Sequence, residues 1–324
     1  MISGKPKIWL LILKNIMITT TIEGVTTAQG NFLAGGTDYM DRLRHHLVGE
    51  ESIDLSGIAG LDQIEKEGNG RTLIGALTTI FNVSQAMHIR QNYAGLADAA
   101  GGLATPQIRQ MATIGGNLTQ ANRCQYYRHP HLKCTKKGDA TCGSRDGYHH
   151  YGIIFDTGGC TTPHPSTLAV ALLAYDAQVQ INGSELRPIS AIYGDGSDHG
   201  RDHLLADNEM ISQVVLPAPA AEKAAYFRAI ARARAEWPLV ECVVRLILDE
   251  DKVSEAYVAV GGVAPVPMRL PKVEQALVGK IASEENFASA AGMAADGASP
   301  LPQTGYKVTL LMNTVEETLL RAIG

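Results

Sequence analysis

Apolar and polar positions along the chain predict short strands and helices in mixed order. Residues 31–40 combine a short apolar strand with a glycine turn, and helical spacing begins at Tyr39. Two strands are predicted to form a hairpin around residues 68–70, which have the sequence Gly-Asn-Gly. Apolar positions further along predict a buried helix at residues 168–175 and an amphipathic helix at residues 308–322. The pattern therefore indicates a protein built from both helices and sheets.

A break in the pattern indicates two domains. A strand at residues 211–216 ends at a Pro-Ala-Pro sequence, and a new set of strands and helices starts at Ala225. We therefore predict one domain over residues 1–218 and a second, α+β domain over residues 219–324. The length of 324 residues is sufficient for two domains with separate cores.

Two loops in the first domain contain a Gly-Gly pair beside a threonine. They are residues 34–38, the first glycine loop, and residues 113–117, the second glycine loop. Glycine turns of this kind present backbone N–H groups to an anion, so a diphosphate between the loops would be held from both sides. The loops are far apart in the chain, and neither has the G-x-G-x-x-G pattern. A dinucleotide site of the Rossmann type is therefore disfavoured.

Four of the five cysteines lie in one polar, glycine-rich stretch, residues 122–163, which we call the cysteine segment. Such a composition predicts that the segment cannot fold by burying apolar surface, so that something else must hold it, and a metal or cluster bound by the thiolates would do so. The cysteines are irregularly and widely spaced, which does not fit a zinc ribbon or a ferredoxin. Four thiolates among glycines and basic residues suit an iron-sulfur cluster, while structural zinc, two disulfides and free thiols remain alternatives. The four cysteines are Cys124, Cys134, Cys142 and Cys160.

Five histidines lie in or beside the cysteine segment and are candidate metal ligands. Four thiolates already complete a tetrahedral set, so most of these histidines are predicted to face solvent. The fifth cysteine, Cys242, lies in an apolar run and is predicted to be a core residue. The histidines are His129, His131, His149, His150 and His164.

Composition excludes some functions and leaves others open. The net charge of -5 lacks the basic excess that nucleic-acid binding needs. An apolar run at residues 8–13 is too short to span a membrane and is followed by Lys14, so a buried strand or short helix is predicted there. A cluster of iron and sulfide favours a reducing cytoplasm as the location.

The glycine loops and the cysteine segment together resemble a known family. Residues 33–38 (Leu-Ala-Gly-Gly-Thr-Asp) and 112–117 (Ala-Thr-Ile-Gly-Gly-Asn) are similar to two FAD loops of the medium subunit of molybdenum hydroxylases, the xanthine dehydrogenase family. His164-Pro-Ser166 and residues 261–265 follow in the family's order. Within the family, the cysteine segment is similar to that of the 4-hydroxybenzoyl-CoA reductase beta subunit and of aldehyde oxidoreductases with an extra cluster.

The resemblance covers residues 31–324 and implies the fold and the cofactors. The fold would be α+β, with a PCMH-type FAD-binding domain like that of vanillyl-alcohol oxidase followed by a CO dehydrogenase flavoprotein C-terminal-like domain. The four cysteines of the segment would bind a 4Fe-4S cluster. FAD would be bound by residues of both loops, with further contacts from four other positions. The implied FAD residues are Leu33, Ala34, Gly35, Gly36, Thr37, Asp38, Thr113, Ile114, Gly115, Gly116, Asn117, Ser166, Met210, Ile211 and Arg228.

The function that the resemblance implies is electron transfer inside a larger complex. A large subunit would hold the molybdenum cofactor, a small subunit would hold 2Fe-2S clusters, and ferredoxin, NAD or a quinone would be the external partner. This role needs no acid-base pair, and the sequence shows none. The alternatives are a self-sufficient FAD oxidase or dehydrogenase and a scaffold subunit held by zinc without flavin.

Overall fold

The computed structural model describes residues 15–324, so the strand or short helix predicted at residues 8–13 lies outside the described residues. Within that range, the first unit is a parallel sheet of three strands in the order β1-β3-β2. The first glycine loop connects this sheet to a helix. The elements are β1 (Asn15–Ile18), α1 (Ile22–Thr27), β2 (Asn31–Leu33), α2 (Tyr39–Arg44) and β3 (Glu51–Asp54).

The second unit, within residues 64–216, is an antiparallel sheet with helices. The strands have the order β4-β5-β8-β6-β7. The first two form the hairpin predicted around residues 68–70, and the helix predicted at residues 168–175 is also confirmed. The elements are β4 (Ile64–Lys66), β5 (Thr72–Gly75), α3 (Ile80–Gln85), α4 (Met87–Asn92), α5 (Ala94–Gly102), α6 (Pro106–Met111), α7 (Ile114–Leu118), α8 (Gln125–Arg128), α9 (Gly143–Asp146), α10 (Thr167–Ala174), β6 (Gln178–Ile181), β7 (Glu185–Pro188) and β8 (Ile211–Leu216).

The third unit, within residues 222–323, is an antiparallel sheet in the order β12-β11-β10-β9 with helices on it. The last helix packs against β9 and β10 through a stripe that includes the buried residues Leu311, Val315 and Leu319, as its apolar spacing predicts. The elements are β9 (Glu222–Ala229), β10 (Val240–Asp249), β11 (Lys252–Gly261), β12 (Met268–Arg269), α11 (Pro271–Leu277), α12 (Glu284–Ala291) and α13 (Tyr306–Ile323).

The second and third units meet in one hydrophobic cluster, although the third unit also has a core of its own. Val243 of β10 and Ala259 of β11 pack into the same buried cluster as α5 and α10. This packing fixes the third unit against the domain that carries both glycine loops. None of the helices in residues 15–324 is long and apolar enough to cross a lipid bilayer.

The cysteine segment is anchored partly by apolar burial. Ile153 and Ile154 are completely buried, and Ile154 belongs to the core of the third unit. The N–H groups of Ile154 and Phe155 donate to the carbonyl of Val263 at 2.9 and 3.1 Å, and Ser299 N–H donates to the carbonyl of Ile154 at 2.7 Å. The prediction that this segment cannot bury apolar surface is therefore wrong, because Ile153 and Ile154 are buried and Ile154 packs into the core of the C-terminal unit.

Candidate functional site

The first glycine loop joins β2 to α2 and passes close to the end of α6. A Cβ atom at Gly35 would lie 1.9 Å from the carbonyl oxygen of Met111, so only glycine fits. Gly36 has a φ of +73°, a left-handed conformation that favours glycine. Among the described residues, the main-chain N–H groups of Gly35, Gly36 and Thr37 have no protein acceptor. This loop therefore offers free N–H donors to a ligand.

The second glycine loop forms the first turn of α7 and uses its N–H groups inside the protein. Thr113 caps the helix, because its hydroxyl oxygen accepts from the N–H of Gly116 at 3.1 Å. The N–H groups of Ile114 and Gly115 each donate, at 2.9 Å, to carbonyls within residues 76–78. The sequence predicts free backbone donors on both loops; among the described residues three lie on the first loop, whereas on the second loop the N–H of Thr113 alone lacks a protein acceptor. The second loop shapes the cavity wall.

A cleft of about 990 Å³ lies between the two loops, and we call it the glycine cleft. This volume is at the upper end of the range of about 300–1,000 Å³ found for ligand sites. Residues of both glycine loops line this cleft, although the loops are far apart in the chain. The predicted cofactor-binding residues that line it are Ala34, Gly35, Gly36, Thr37, Asp38, Thr113, Gly115, Gly116, Met210 and Ile211.

Five of the predicted cofactor-binding residues do not line the glycine cleft. Leu33 and Ile114 have buried side chains that belong to the hydrophobic cores. Arg228 lies on β9, where its guanidinium donates to the carbonyl oxygens of Arg234 and Glu236. The five residues outside the cleft lining are Leu33, Ile114, Asn117, Ser166 and Arg228.

Ser166 and Asn117 hold two helices together behind the cleft. The Ser166 hydroxyl donates to the Asn117 side-chain oxygen at 2.7 Å and accepts from the N–H of Ala169 at 3.0 Å. Ser166 therefore caps α10 and ties it to α7, the helix that carries the second glycine loop. Both residues are buried, and their hydrogen bond orders the second glycine loop against α10.

Asp38, at the end of the first glycine loop, is bound by the cysteine segment. Its carboxylate accepts from Arg128 at 2.7 Å and from the N–H of Ala121 at 3.1 Å, and Arg123 lies 3.1 Å away. Arg128 also donates to Asp41 of α2 at 2.6 Å. Burial lowers the pKa of Arg123, and the charge of Asp38 opposes that change. The first glycine loop and the cysteine segment are therefore joined by buried charges.

A second ionic contact joins the cysteine segment to the opposite wall of the cleft. The ammonium of Lys136 lies 3.1 Å from Asp202, and both side chains are mostly buried. The same carboxylate accepts from the main-chain and side-chain nitrogens of Asn122, at 3.1 and 3.2 Å. Burial raises the pKa of Asp202, but Lys136 and His164 outweigh it and the pKa is lowered. No sequence signal marks Lys136, Asp202 or His203 as cleft residues, because they lie in loops without periodicity.

Burial and neighbouring cysteines raise the pKa values of two cysteines of the segment, Cys134 and Cys160. Burial raises the pKa of Cys134, and the charges of Cys124 and Cys142 raise it further. Burial also raises the pKa of Cys160 to about 11, with Cys142 adding to the effect. The main-chain N–H groups of Lys136 and Thr162 donate to the sulfurs of Cys134 and Cys160 and favour the thiolates.

In residues 15–324 no disulfide joins the cysteines, and no three His, Cys, Asp or Glu side chains converge as ligands of one metal ion. Cys242 is completely buried, as predicted for a core residue. Two of the histidines differ from the prediction of solvent exposure. His149 and His164 are buried: a ring nitrogen of His149 lies 3.0 Å from the carbonyl oxygen of Ser144, and the ring centroids of His164 and Tyr193 are 4.5 Å apart.

Comparisons with known proteins identify two family models along the chain. Residues 18–219 match the model described as the FAD binding domain in molybdopterin dehydrogenase. Residues 225–323 match the model described as the CO dehydrogenase flavoprotein C-terminal domain.

The chain also resembles individual proteins along most of its length. The aldehyde oxidoreductase FAD-binding subunit PaoB of Escherichia coli (strain K12) is 29% identical over 319 residues, which cover 94% of this chain and 96% of that protein. The carbon monoxide dehydrogenase medium chain of Hydrogenophaga pseudoflava is 24% identical over 283 residues, covering 87% and 83% of the two chains.

Solved structures agree in fold. Quinoline 2-oxidoreductase from Pseudomonas putida 86 superposes with a TM-score of 0.73 at 18% identity, covering 95% of this chain and 96% of that one. The Cu,Mo-CO dehydrogenase superposes with a TM-score of 0.74 at 18% identity and the same coverage. At these identities the likeness concerns the fold alone.

Proposed function

This chain belongs to the family of FAD-binding medium subunits of the molybdenum hydroxylases, and from that premise we propose that it carries electrons between FAD in the glycine cleft and a 4Fe-4S cluster in the cysteine segment. The predicted family and the predicted α+β fold with a CO dehydrogenase flavoprotein C-terminal domain are confirmed. The chain is an oxidoreductase component, as its relatives are named.

The glycine cleft has the features that binding of FAD requires. The free N–H groups of Gly35, Gly36 and Thr37 would hold the diphosphate, since aligned N–H donors bind such anions. Met210 lines the cleft and is buried, so it offers an apolar surface to the flavin ring. These free N–H groups beside a cleft of sufficient volume are the observation that supports the flavin assignment most directly. A bound flavin exchanges one or two electrons and so connects one-electron clusters with two-electron partners.

The cysteine segment supports the cluster assignment through its sulfurs. The pKa of Cys134 is raised by Cys124 and Cys142 and that of Cys160 by Cys142, and the sulfurs of Cys134 and Cys160 accept main-chain N–H groups, a feature that tunes cluster ligands. A cluster of four irons and four sulfides is larger than one ion, so its ligands need not converge on one point. Cys124, Cys134, Cys142 and Cys160 would hold the cluster, and Arg145 and Lys136 would offset its negative charge.

Contacts between the two proposed sites support electron transfer between them. Arg128 links the cysteine segment to the first glycine loop, and Lys136 links it to the wall that carries Asp202. These links fix the segment against the cleft, so the two redox groups would keep a constant separation. No side chain of this chain has to donate or accept a proton for that role.

The proposed partners are those of the family. The relatives carry names such as medium chain and FAD-binding subunit, which describe parts of larger assemblies. We propose that a large molybdenum subunit and a small 2Fe-2S subunit complete the complex in the cytoplasm, and that ferredoxin, NAD or a quinone exchanges electrons with it. A reaction like that of 4-hydroxybenzoyl-CoA reductase fits the extra cluster.

Anaerobic purification followed by visible spectroscopy and metal analysis tests this proposal. We expect a flavin band with a broad iron-sulfur shoulder, about one FAD, and about four irons and four acid-labile sulfides per chain. Flavin without iron would support the self-sufficient oxidase instead, and colourless protein containing zinc would support the scaffold.

Cysteine variants locate the cluster. Cys142→Ser should remove most of the iron, because it removes one thiolate ligand, while leaving the flavin bound. The matched control is Cys242→Ala, which changes a buried core cysteine outside the segment and should leave the iron content unchanged. Equal iron content in both variants would contradict the assignment of the ligands.

A further inference from the structure

Three side chains of lysine or arginine line the glycine cleft, and the protein gives them different partners. The ammonium of Lys136 is paired with Asp202 at 3.1 Å. The guanidinium of Arg201 donates to the carbonyl oxygen of Leu205. Among the described residues, Arg42 has no carboxylate at hydrogen-bond distance and no partner for its Nε atom. Arg42 is therefore the cation of the cleft lining that is least satisfied by the protein itself.

The charges around Arg42 do not balance. Arg42 belongs to a group that also contains Arg123, Arg128 and the carboxylates of Asp38 and Asp41. Arg128 contacts the two carboxylates at 2.7 and 2.6 Å, and Arg123 lies 3.1 Å from Asp38. The guanidinium of Arg42 is 3.9 Å from Asp38, so it makes the weakest of these contacts. Three arginines beside two aspartates leave one positive charge in excess, on the arginine that lines the cleft.

The other polar neighbour of Arg42 does not neutralise this charge. The hydroxyl of Tyr127 lies beside the guanidinium, and burial raises the pKa of Tyr127, so the phenol stays uncharged. The side chain of Arg42 is 25% exposed, unlike the fully buried residues behind the cleft. A molecule bound in the glycine cleft can therefore contact the guanidinium and supply the missing negative charge.

The position of Arg42 on α2 directs its side chain toward the first glycine loop. Side chains in a helix lean toward its N-terminus, so each residue covers the turn that precedes it. Arg42 lies four residues after Asp38, the last residue of the loop. The free N–H groups of Gly35, Gly36 and Thr37 belong to the same loop. One wall of the cleft thus combines three uncharged donors with an unbalanced cation.

We infer that Arg42 forms an ion pair with the diphosphate of the bound flavin and makes the glycine cleft select FAD over flavins that lack a diphosphate. The inference rests on the proposed binding of FAD and names a binding residue outside both glycine loops. The N–H groups of the first loop donate hydrogen bonds to the diphosphate, and Arg42 supplies the positive charge that they lack. A guanidinium also suits this role by shape, because its parallel N–H groups match two oxygens of a phosphate.

Titration of the whole chain, freed of flavin by dialysis at high salt, tests the role of Arg42. The probes are FAD and riboflavin, which has the flavin ring without any phosphate, and binding is followed by the change in flavin fluorescence. Arg42→Met should weaken FAD binding about ten- to hundredfold and leave riboflavin binding unchanged, because a charge-assisted contact with the diphosphate is lost. Arg42→Lys keeps the charge and should recover part of the FAD affinity. The matched control is Arg44→Met, at an exposed arginine of the same helix, which should leave both affinities unchanged.

Salt dependence separates an ionic contact from a purely structural role. Salt screens charges, so the FAD affinity of Arg42→Met should fall less steeply with rising salt than that of the unmodified chain. Unchanged FAD affinity in Arg42→Met, or equal losses for FAD and riboflavin, would overturn the inference. Where riboflavin binds too weakly to measure, an unchanged salt dependence in Arg42→Met would overturn it. If the unmodified chain itself did not bind FAD, the proposed function would be contradicted, and the inference with it.

Discussion

Arg128 is the residue on which the connection between the two proposed redox sites depends most. Its side chain is only 12% exposed and makes four hydrogen bonds. Two of them go to the carboxylates of Asp38 and Asp41, at 2.7 and 2.6 Å. Arg128→Ala would leave Asp38, itself 13% exposed, with Arg123 at 3.1 Å as its nearest cation.

The cost of this substitution follows from the burial of the pair. Breaking a buried ion pair costs about 3–5 kcal/mol, because the remaining charge has lost its partner. The lower value, about 3 kcal/mol, applies here because Arg123 continues to compensate Asp38 and because Asp41 is 43% exposed. For a domain of this size each kcal/mol lowers the melting temperature by about 2–4 °C, so we expect a decrease of about 6–12 °C.

The assay combines thermal unfolding with analysis of both cofactors. We expect Arg128→Ala to lose flavin and iron together, because the same side chain orders the first glycine loop and the cysteine segment. Arg128→Lys should be intermediate, since a single ammonium cannot bridge two carboxylates as a guanidinium does. The control is Arg71→Ala, which breaks a pair with Glu67 at 2.7 Å whose side chains are about one third exposed, and it should leave the melting temperature nearly unchanged.

Two outcomes would refute this reasoning. One is the same melting temperature for Arg128→Ala and the Arg71→Ala control. The other is complete loss of iron from Arg128→Ala with full retention of flavin, which would mean that the first glycine loop does not depend on the cysteine segment.

Further predictions concern the first glycine loop and a buried acid. Gly35→Ala should lose most of its bound flavin, because the new Cβ would lie 1.9 Å from the carbonyl oxygen of Met111. The control is Gly68→Ala, where a Cβ would have no neighbour within 4 Å, and this variant should bind flavin normally. Equal flavin content in the two variants would contradict the close approach at Gly35. Burial raises the pKa of Glu241 from 4.5 to about 7, so the free energy of unfolding falls as the pH rises from 4.5 to 7. Above pH 7 the ionised carboxylate lowers the free energy of unfolding by up to about 3 kcal/mol. Glu241→Gln keeps an acceptor for the hydroxyl of Tyr226 but cannot ionise. Urea unfolding should therefore show this variant to be more stable than the unmodified chain at pH 8.5 and no more stable at pH 4. A gain in stability of equal size at both pH values would show that ionisation is not the cause.

The local elements could be predicted from the sequence because their signals are local. Ser166 precedes an apolar run and caps α10, and the Gly-Asn-Gly sequence at residues 68–70 forms the turn between β4 and β5. The apolar stripe of α13 also matches its buried face. The two Gly-Gly sequences mark the loops that line the glycine cleft, because few other residues allow such close approach of the backbone.

The contacts that connect the site could not be predicted, because they join residues that are far apart in the chain and carry no local signal of their partners. Arg128 and Asp38 are 90 residues apart, and neither position shows which partner it has. The polar neighbours of His149 predict a solvent-facing residue, but Gln303 accepts its main-chain N–H from 154 residues away and helps to bury it. Ser166 and Arg228 are assigned to FAD by resemblance alone, and their positions behind the cleft and on β9 are visible only in three dimensions.

The attachment of Ile154 to the C-terminal unit has a consequence for the order of events during biosynthesis. The carbonyl that receives its N–H belongs to Val263, in the last third of the chain, and Ser299 follows later still. A ribosome adds about 5–20 residues per second, so the cysteines leave the exit tunnel several seconds before these anchors exist. The cysteine segment can therefore reach its anchored position only after most of the chain has been synthesised, and insertion of the proposed cluster into the anchored segment would be a late step.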